Sequence, residues 1–150
     1  MSTFYGEYNT KIDGKGRIIL PSSLKKEFDT ANENVVIIQK DSFEKCLNLF
    51  SIEEWEKKVE KIYDKLDPDD RNQAKLIEQF FRNIAKLTIA ENGRMLFPEK
   101  MLEYANLKTS ATFIGQRNRI RIWNAEELEK SLAEIEDFGQ SYQSNLSKLT

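Results

Sequence analysis

The fold is decided by a repeated stretch, Gly16-Arg17-Ile18-Ile19-Leu20-Pro21, which returns as Gly93-Arg94-Met95-Leu96-Phe97-Pro98. Gly, Arg and Pro are identical in the two copies, and the other positions are apolar in both. An apolar run that ends at a proline is typical of a buried strand followed by a short helix. The repeat therefore predicts two related halves, each with a strand at this motif.

A second block of the repeat lies farther along each half: Phe50-Ser51-Ile52-Glu53-Glu54-Trp55 matches Trp123-Asn124-Ala125-Glu126-Glu127-Leu128. Ser51 and Asn124 are suited to cap a helix, and the glutamate three residues later is suited to reach back to the capping residue. Apolar residues then follow at helical spacing in both halves. They are Trp55, Val59 and Ile62 in the first half, and Leu128, Leu132 and Ile135 in the second.

Each half is predicted to contain a strand, a glycine turn, a strand, a short helix, two strands and a longer helix. The strand segments are rich in β-branched and aromatic residues and are bounded by turn formers. We expect strands near Tyr5–Ile12, Arg17–Leu20, Val35–Gln39, Cys46–Phe50, Leu87–Ala90, Arg94–Phe97, Thr112–Gly115 and Arg119–Trp123.

A further helix is predicted between the halves. Asp67-Pro68-Asp69-Asp70 supplies a helix start, and Leu76, Ile77, Phe80, Phe81 and Ile84 give the segment apolar residues through about Ala85. The predicted organisation is a first module with its helix at 5–66, a connecting helix at 67–85, a second module with its helix at 86–139, and a weakly ordered tail at 140–150.

The composition restricts the possible functions. The 150 residues are 39% hydrophobic, with no histidine and one cysteine, Cys46. Imidazole catalysis and zinc sites are thereby excluded, and no phosphate-binding glycine loop is visible. We expect no enzyme, no cofactor and no small-molecule substrate. Because no leader and no apolar run of about 20 residues is present, we expect a cytoplasmic protein that does not enter a membrane.

Positive charge is concentrated at one end of the chain. The net charge is −2, yet residues 1–26 hold five basic and two acidic residues, Lys11, Lys15, Arg17, Lys25 and Lys26 against Glu7 and Asp13. The rest of the chain is therefore acidic. Such a distribution does not fit a protein that coats nucleic acid nonspecifically, but it leaves room for a local basic site.

The most basic part of the repeat is the loop Asp13-Gly14-Lys15-Gly16-Arg17. Two interpretations are open from the residues alone. In one, the loop is a polar hairpin turn in which Asp13 and Arg17 pair and hold its shape. In the other, the guanidinium of Arg17 binds guanine or phosphate, while Lys15 acts as a point charge on the DNA backbone. For a lone hairpin the first interpretation is favoured.

Four segments together resemble the MraZ family: Phe4-Tyr5-Gly6-Glu7-Tyr8, the Asp13–Pro21 motif, Gly93-Arg94 with Pro98, and Asn118-Arg119-Ile120 with Ile122-Trp123. The resemblance runs to about residue 137. It implies an α+β fold with a mostly β core, in which two AbrB-like swapped-hairpin modules form a pseudo-twofold β-barrel with flanking helices.

The resemblance also implies a function. Proteins of this family form homo-oligomeric rings and regulate transcription from the nucleoid. They bind double-stranded DNA at direct repeats in promoters, typically upstream of the division and cell-wall gene cluster that contains their own gene. The alternative is a ring-forming regulator of partner proteins that does not bind DNA. A single-module AbrB-type antitoxin is disfavoured, because this chain carries two full modules.

The two loops are expected to contribute unequally to DNA binding. The resemblance gives the family roles in the first loop to Asp13, Lys15 and Arg17, with Lys15 and Arg17 facing DNA and Asp13 orienting the arginine or the turn. The predicted DNA-binding site also includes Lys11, Gly14 and Gly16. In the second loop Ala90 replaces the aspartate, Asn92 replaces the lysine, and Glu91 adds a negative charge beside Arg94. We therefore expect the first loop to dominate, with Asn92 and Arg94 assisting or serving mainly the structure.

Other conspicuous residues have simpler interpretations. Arg117, Arg119 and Arg121 alternate along a predicted strand, and we expect a solvated or subunit-facing surface rather than a second DNA site. Trp55 and Trp123 are expected to anchor the core or an interface. Cys46 is expected to be a small buried residue.

Overall fold

A computed structural model describes residues 3–148 and is an α+β protein built on antiparallel strands. The strands are β1 Phe4–Lys11, β2 Arg17–Ile19, β3 Val35–Lys40, β4 Leu47–Ser51, β5 Ile84–Thr88, β6 Arg94–Leu96, β7 Ser110–Arg117 and β8 Ile120–Trp123. The helices are α1 Ser22–Thr30, α2 Ile52–Lys65, α3 Arg71–Arg82, α4 Glu99–Tyr104, α5 Ala125–Leu132 and α6 Phe138–Ser147. The predicted fold class is confirmed.

The two halves exchange strands. Six strands form one sheet in the order β1-β7-β8-β4-β3-β5, and β2 and β6 form a two-stranded ribbon. Strand β1 of the first half pairs with β7 of the second, and β5 of the second half pairs with β3 of the first. Each half therefore completes the sheet of the other, as the swapped-hairpin prediction requires.

A pseudo-twofold relation is visible in the strand register. In the ribbon, these residues lie opposite each other: Arg17 and Leu96, Ile18 and Met95, Ile19 and Arg94. Because Arg94 is the repeat partner of Arg17, and Leu96 that of Ile19, exchanging the halves reproduces the same pairs. The β4–β8 pairing behaves in the same way about Asn48 and Arg121, which lie opposite each other.

The predicted barrel is not confirmed. Strands β1 and β5 form the two edges of the six-stranded sheet, so that sheet is open. The ribbon is connected to β1 by a bridge between Ile12 and Ile18. Closure of the two sheets into one barrel stays a prediction.

The inner face of the ribbon belongs to the main core. Ile18 and Met95 are both fully buried and share a cluster with Phe4, Phe28 and other apolar residues. The rings of Phe4 and Phe28 lie 5.2 Å apart. Burying such a side chain stabilises a fold by about 1.5–3 kcal/mol, so the ribbon is held firmly on its inner side.

The connecting helix packs on α2 through aromatic residues. Asp70 caps α3, and the ring of Trp55 stacks on that of Phe80 at 5.1 Å. The helix ends at Arg82, whereas the sequence predicts it through about Ala85, and β5 begins at Ile84 rather than Leu87. The reason is tertiary: residues 84–88 pair with β3, and strand pairing overrides local helical spacing.

The capping roles of Ser51 and Asn124 are confirmed, but the second apolar stripe is shorter than predicted. The side chain of Ser51 accepts from the N–H of Glu54, and that of Asn124 accepts from the N–H groups of Glu126 and Glu127. Helix α5, however, ends at Leu132, whose exposed fraction is 53%. Ile135 lies beyond the end of the helix, so the prediction that Leu128, Leu132 and Ile135 share one helical face is wrong for Ile135.

The end of the chain contains a helix that the sequence analysis does not predict. Helix α6 covers most of the segment expected to be weakly ordered, and Asp137 caps it by accepting from the N–H of Gln140 at 3.0 Å. Its side chains are exposed throughout, so no core packing holds it. Fraying of this segment stays a prediction, and residues 149 and 150 lie outside the described residues. Within residues 3–148, no helix is long and apolar enough to cross a membrane.

Candidate nucleic-acid interface

The first loop is a tight turn between β1 and β2. The N–H of Asp13 donates to the carbonyl of Arg17 at 3.0 Å, and the N–H of Gly16 donates to the carbonyl of Asp13 at 3.1 Å. Gly16 has a φ of 81°, a conformation that a side chain disfavours. These bonds place Arg17 at the exact point where the turn enters the ribbon.

The carboxylate of Asp13 organises this loop. One oxygen accepts from the N–H groups of Lys15 and Arg17, each at 2.9 Å, and the other accepts from Nε of Arg17 at 2.6 Å. The hydrogen bond from the Arg17 backbone is the main cause that holds the pKa of Asp13 below its usual value, with the Arg17 side chain and the Lys15 backbone contributing. The carboxylate is therefore charged and serves both the turn and the arginine.

Pairing with Asp13 leaves part of the Arg17 side chain available. The bond uses Nε, and within residues 3–148 neither terminal nitrogen of the guanidinium has a hydrogen bond or ion pair. The Arg17 side chain is 39% exposed. The two interpretations of the loop are thus compatible, because Asp13 holds the shape of the turn and also points the free donors of Arg17 outward.

The remaining first-loop residues leave the loop tip open. Lys11 ends β1 opposite Ser110 and is exposed, as is Lys15, and in the described part of the chain neither ammonium has an ion pair. A Cβ added at Gly14 would meet nothing within 4 Å, whereas one at Gly16 would lie 3.1 Å from Leu102. The tip is accessible to a large ligand, and the base of the loop is packed.

The second loop has the same backbone. The N–H of Ala90 donates to the carbonyl of Arg94 at 2.9 Å, the N–H of Gly93 donates to the carbonyl of Ala90 at 2.8 Å, and Gly93 has a φ of 86°. The side chain of Asn92 accepts from the N–H of Arg94 at 3.1 Å. Asn92 thus supplies one of the bonds that Asp13 makes, a role that sequence reasoning missed, although asparagine commonly binds the backbone two residues on.

The guanidinium of Arg94 has no corresponding anchor. Over the described residues it makes no hydrogen bond or ion pair, and it is exposed. Asn92 is a neutral amide bonded to the backbone, so it does not orient the arginine side chain. Arg94 therefore lacks the side-chain contact that holds Arg17.

Both loops open onto one face of the ribbon. The carbonyl of Gly93 accepts from the N–H of Leu20 at 2.8 Å, and the carbonyl of Gly16 accepts from the N–H of Phe97 at 3.1 Å. Each loop is thereby fastened to the end of the opposite strand. Since neighbouring residues of a strand point to opposite faces, buried Ile18 and Met95 place the two arginines on the outer face. We define this outer face, with both loops, as the ribbon surface.

The three arginines at and between β7 and β8 do not form a common exposed face: Arg117 ends β7, Arg119 lies in the turn and Arg121 lies in β8. Arg121 contacts Asp41 at 3.4 Å and Cys46 Sγ at 3.1 Å, and the guanidinium of Arg119 lies 5.1 Å from the centre of the Phe50 ring. Arg117 is exposed at the end of β7 with a φ of 66°. Arg121 is therefore tied within the chain rather than solvated or facing another subunit.

The buried interpretations of three other residues are confirmed. Trp55 and Trp123 are each only 5% exposed, which leaves neither ring free to stack on a base. Cys46 is fully buried, and burial raises the pKa of its thiol to about 11. Within the described ranges, no cluster of three or more acidic, cysteine or histidine side chains is arranged to hold a metal ion.

Comparison with known proteins gives consistent matches along nearly the whole chain. A family model described as "MraZ protein, putative antitoxin-like" matches residues 3–76 and 80–146. A protein of Bacteroides fragilis named transcriptional regulator MraZ is 31% identical over 139 residues, which cover 93% of this chain and 88% of the relative. A protein of the same name from Clostridium tetani is 32% identical over 127 residues, 85% of each chain.

Proposed function

This chain belongs to the MraZ family, and we propose that it is a transcriptional regulator that binds double-stranded promoter DNA through the ribbon surface. The observation that carries the proposal is the held but open guanidinium of Arg17, fixed by Asp13 through Nε and facing outward. A guanidinium with free terminal donors is suited to the O6 and N7 atoms of guanine in the major groove. Lys11 and Lys15 contact phosphates beside it.

The modest charge of one subunit argues for multiple contacts. The whole chain carries a net charge of −2, and the first loop offers few cations. Affinity for DNA grows with the number of phosphates that are neutralised, and linked sites raise it further through their effective concentration. We therefore propose a homo-oligomer, a ring by family resemblance, whose first loops bind successive promoter repeats.

The C-terminal region supplies a surface for such assembly. On α6 the exposed side chains of Phe138, Tyr142 and Leu146 follow one another at helical spacing and form an apolar stripe, and exposed Leu132 and Ile135 precede the helix. A helix of ten residues is marginal in water without a packing partner. Burial of α6 against a second copy of the chain would provide that partner.

Assembly through α6 is tested by Tyr142→Glu, which places a charge in the middle of the apolar stripe. Ser144→Glu adds the same charge on the other side of the helix and is the matched control. Light scattering after size-exclusion chromatography is expected to show an oligomer for the wild type and the control, and smaller species for Tyr142→Glu. Equal masses for all three proteins contradict this interface.

DNA binding is tested by footprinting the promoter upstream of the gene that encodes this chain. The wild type is expected to protect repeated sites, and Arg17→Ala is expected to lose that protection at the same salt concentration. The footprint also tests the proposed targets, which are the promoter of the division and cell-wall cluster and this gene within it. Protection that survives Arg17→Ala unchanged contradicts the proposed site.

The acidic remainder of the chain supports a second candidate function. Outside residues 1–26 there are 18 basic and 23 acidic residues, a surface that favours protein partners over DNA. In that case the chain regulates partner proteins as a ring without binding DNA. The salt dependence of promoter binding separates the candidates. Binding that weakens steeply with salt supports the DNA contact, because Lys and Arg that neutralise DNA phosphates release the counterions held there.

A further inference from the structure

Two aliphatic side chains lie exposed between the arginines of the ribbon surface. Leu96 is 60% exposed and Ile19 is 43% exposed, although both belong to strands whose central residues are fully buried. The sequence motif favours a buried layer at these positions, because all its variable positions are apolar. The structure instead turns one aliphatic residue of each strand toward solvent.

The register pairs each aliphatic residue with the arginine of the other half. Leu96 lies opposite Arg17, and Ile19 lies opposite Arg94. Side chains directly opposite each other in an antiparallel pair have Cβ atoms about 4.5–5.5 Å apart. Each arginine on the outer face therefore has an aliphatic neighbour that is supplied by the opposite half of the chain.

The DNA major groove offers partners for both kinds of side chain. A two-stranded ribbon fits within that groove, where guanine presents acceptors for arginine and thymine presents its C5 methyl group. Phosphate has no apolar group for Leu96 or Ile19 to contact. Exposed aliphatic residues beside arginines on a ribbon are thus arranged to contact base edges rather than the DNA backbone.

We propose that Leu96 contacts the methyl group of a thymine that neighbours the guanine bound by Arg17, and that Ile19 does the same beside Arg94. This inference rests on the proposed function and extends it, because it gives the second half a part in the base recognition of the first loop. Arg17 is the held arginine, so the Arg17–Leu96 pair makes the larger contribution. Recognition is then set by one residue from each half.

The test removes single methyl groups from the DNA. In the footprinted operator, each thymine is replaced in turn by uracil, which lacks only the methyl group, and the affinity of the full chain is measured. Removal of one buried methyl is expected to weaken binding about fourfold at the thymine that contacts Leu96, and less at a second thymine, which contacts Ile19. In Leu96→Ala, wild-type DNA is bound about fourfold more weakly, and uracil at the first of these thymines has no additional effect.

Leu76→Ala is the matched control, since Leu76 is 59% exposed and lies on α3 away from the ribbon. It is expected to bind DNA like the wild type and to keep the uracil effect. Ile19→Ala is expected to lose sensitivity at a different thymine. Thermal unfolding monitored by circular dichroism checks that each variant is folded.

The outcomes separate the inference from the function on which it rests. If the wild type binds the operator but no thymine-to-uracil change weakens it, methyl recognition is overturned while DNA binding stands. Equal uracil effects in the wild type and Leu96→Ala also overturn it, since the methyl would then contact another residue. If the wild type binds no promoter DNA, the proposed function fails first.

Discussion

The two loops of the ribbon surface share a backbone and differ in their side chains. The bond from the first loop residue to the arginine carbonyl is 3.0 Å in one and 2.9 Å in the other, and both glycines have a φ above 80°. The carboxylate of Asp13 accepts three bonds within its loop, including one from the guanidinium of Arg17, whereas the side chain of Asn92 accepts one bond, from the backbone of Arg94. The turn is therefore preserved without the carboxylate, but the orientation of the arginine is not.

The difference matters for affinity because ordering a side chain on binding has a cost. Immobilising a long side chain on binding costs about 0.5–1.5 kcal/mol, which weakens the affinity. Asp13 already holds Arg17, whereas in the proposed complex Arg94 would have to be ordered by the DNA. The adjacent Glu91 also repels phosphate. Both effects favour the first loop.

The largest expected effect concerns how many first loops act together. If affinity comes from several first loops that bind together in one oligomer, Tyr142→Glu is expected to bind a multi-repeat operator about 10²- to 10⁴-fold more weakly than the wild type. On DNA with a single repeat the two proteins are expected to differ little. Fluorescence anisotropy with both DNAs makes this measurement, and Ser144→Glu is the control. Equal affinity of the dissociated variant and the oligomer for the multi-repeat DNA breaks the account.

A smaller effect is expected when the first loop is made like the second. Asp13→Asn keeps an acceptor for the backbone but removes the charge that holds Nε of Arg17. Binding to a single repeat is expected to weaken about three- to tenfold, with the fold retained. Anisotropy titrations at one salt concentration provide the comparison. Unchanged affinity would mean that orientation by Asp13 contributes nothing to binding.

The reverse change sharpens the comparison. Replacing Ala90-Glu91-Asn92 by Asp-Gly-Lys gives the second loop the sequence of the first, because Gly93 and Arg94 already match. We expect binding to strengthen about threefold to tenfold, and the slope of affinity against salt to steepen by about one phosphate contact. Ala90→Asn alone, which restores no charge, serves as the control. If the replacement strengthens neither the affinity nor its salt dependence, the difference between the loops does not come from these three residues.

The smallest expected effect concerns the pKa of Asp13. A carboxyl whose pKa is lower in the folded chain stabilises the folded state above its unfolded pKa, and this stabilisation disappears as the pH falls through the folded pKa. The pKa of Asp13 is lowered mainly by the backbone of Arg17. Carbon-detected NMR is expected to place its titration below the ordinary value of about 3.9. In Arg17→Ala it is expected to move only part of the way back, because the backbone bonds remain.

Sequence spacing that both halves share predicts the repeat, and the resemblance to the MraZ family predicts the swap of strands. The first-loop site rests on the same resemblance and stays a prediction. The connection into β5 is different. Ile84 continues the apolar spacing of α3, yet it begins a strand because β3 offers a pairing partner. Such a competition is decided by contacts distant in sequence, so the pattern of residues 67–85 alone does not resolve it.

The finer details of the site depend on register. That Leu96 lies opposite Arg17 follows from the pairing of β2 with β6, and a slip of β6 by one residue would turn Leu96 to the other face, away from Arg17. The role of Asn92 is likewise a property of the folded turn, although its residue type is a signal. In α5 the apolar spacing predicts the helix but not the exposure of Leu132, and α6, whose apolar residues face solvent, is not predicted at all.

The most direct test of the central claim compares Arg17→Ala with Arg94→Ala on the same operator at the same salt concentration. A good contact between arginine and a base contributes about 1–3 kcal/mol, so Arg17→Ala is expected to weaken binding about 5- to 150-fold per engaged loop. For Arg94→Ala the loss is expected to stay below about threefold, because its side chain must first be ordered. Equal losses for the two variants would contradict the claim that the carboxylate of Asp13 makes the first loop dominant.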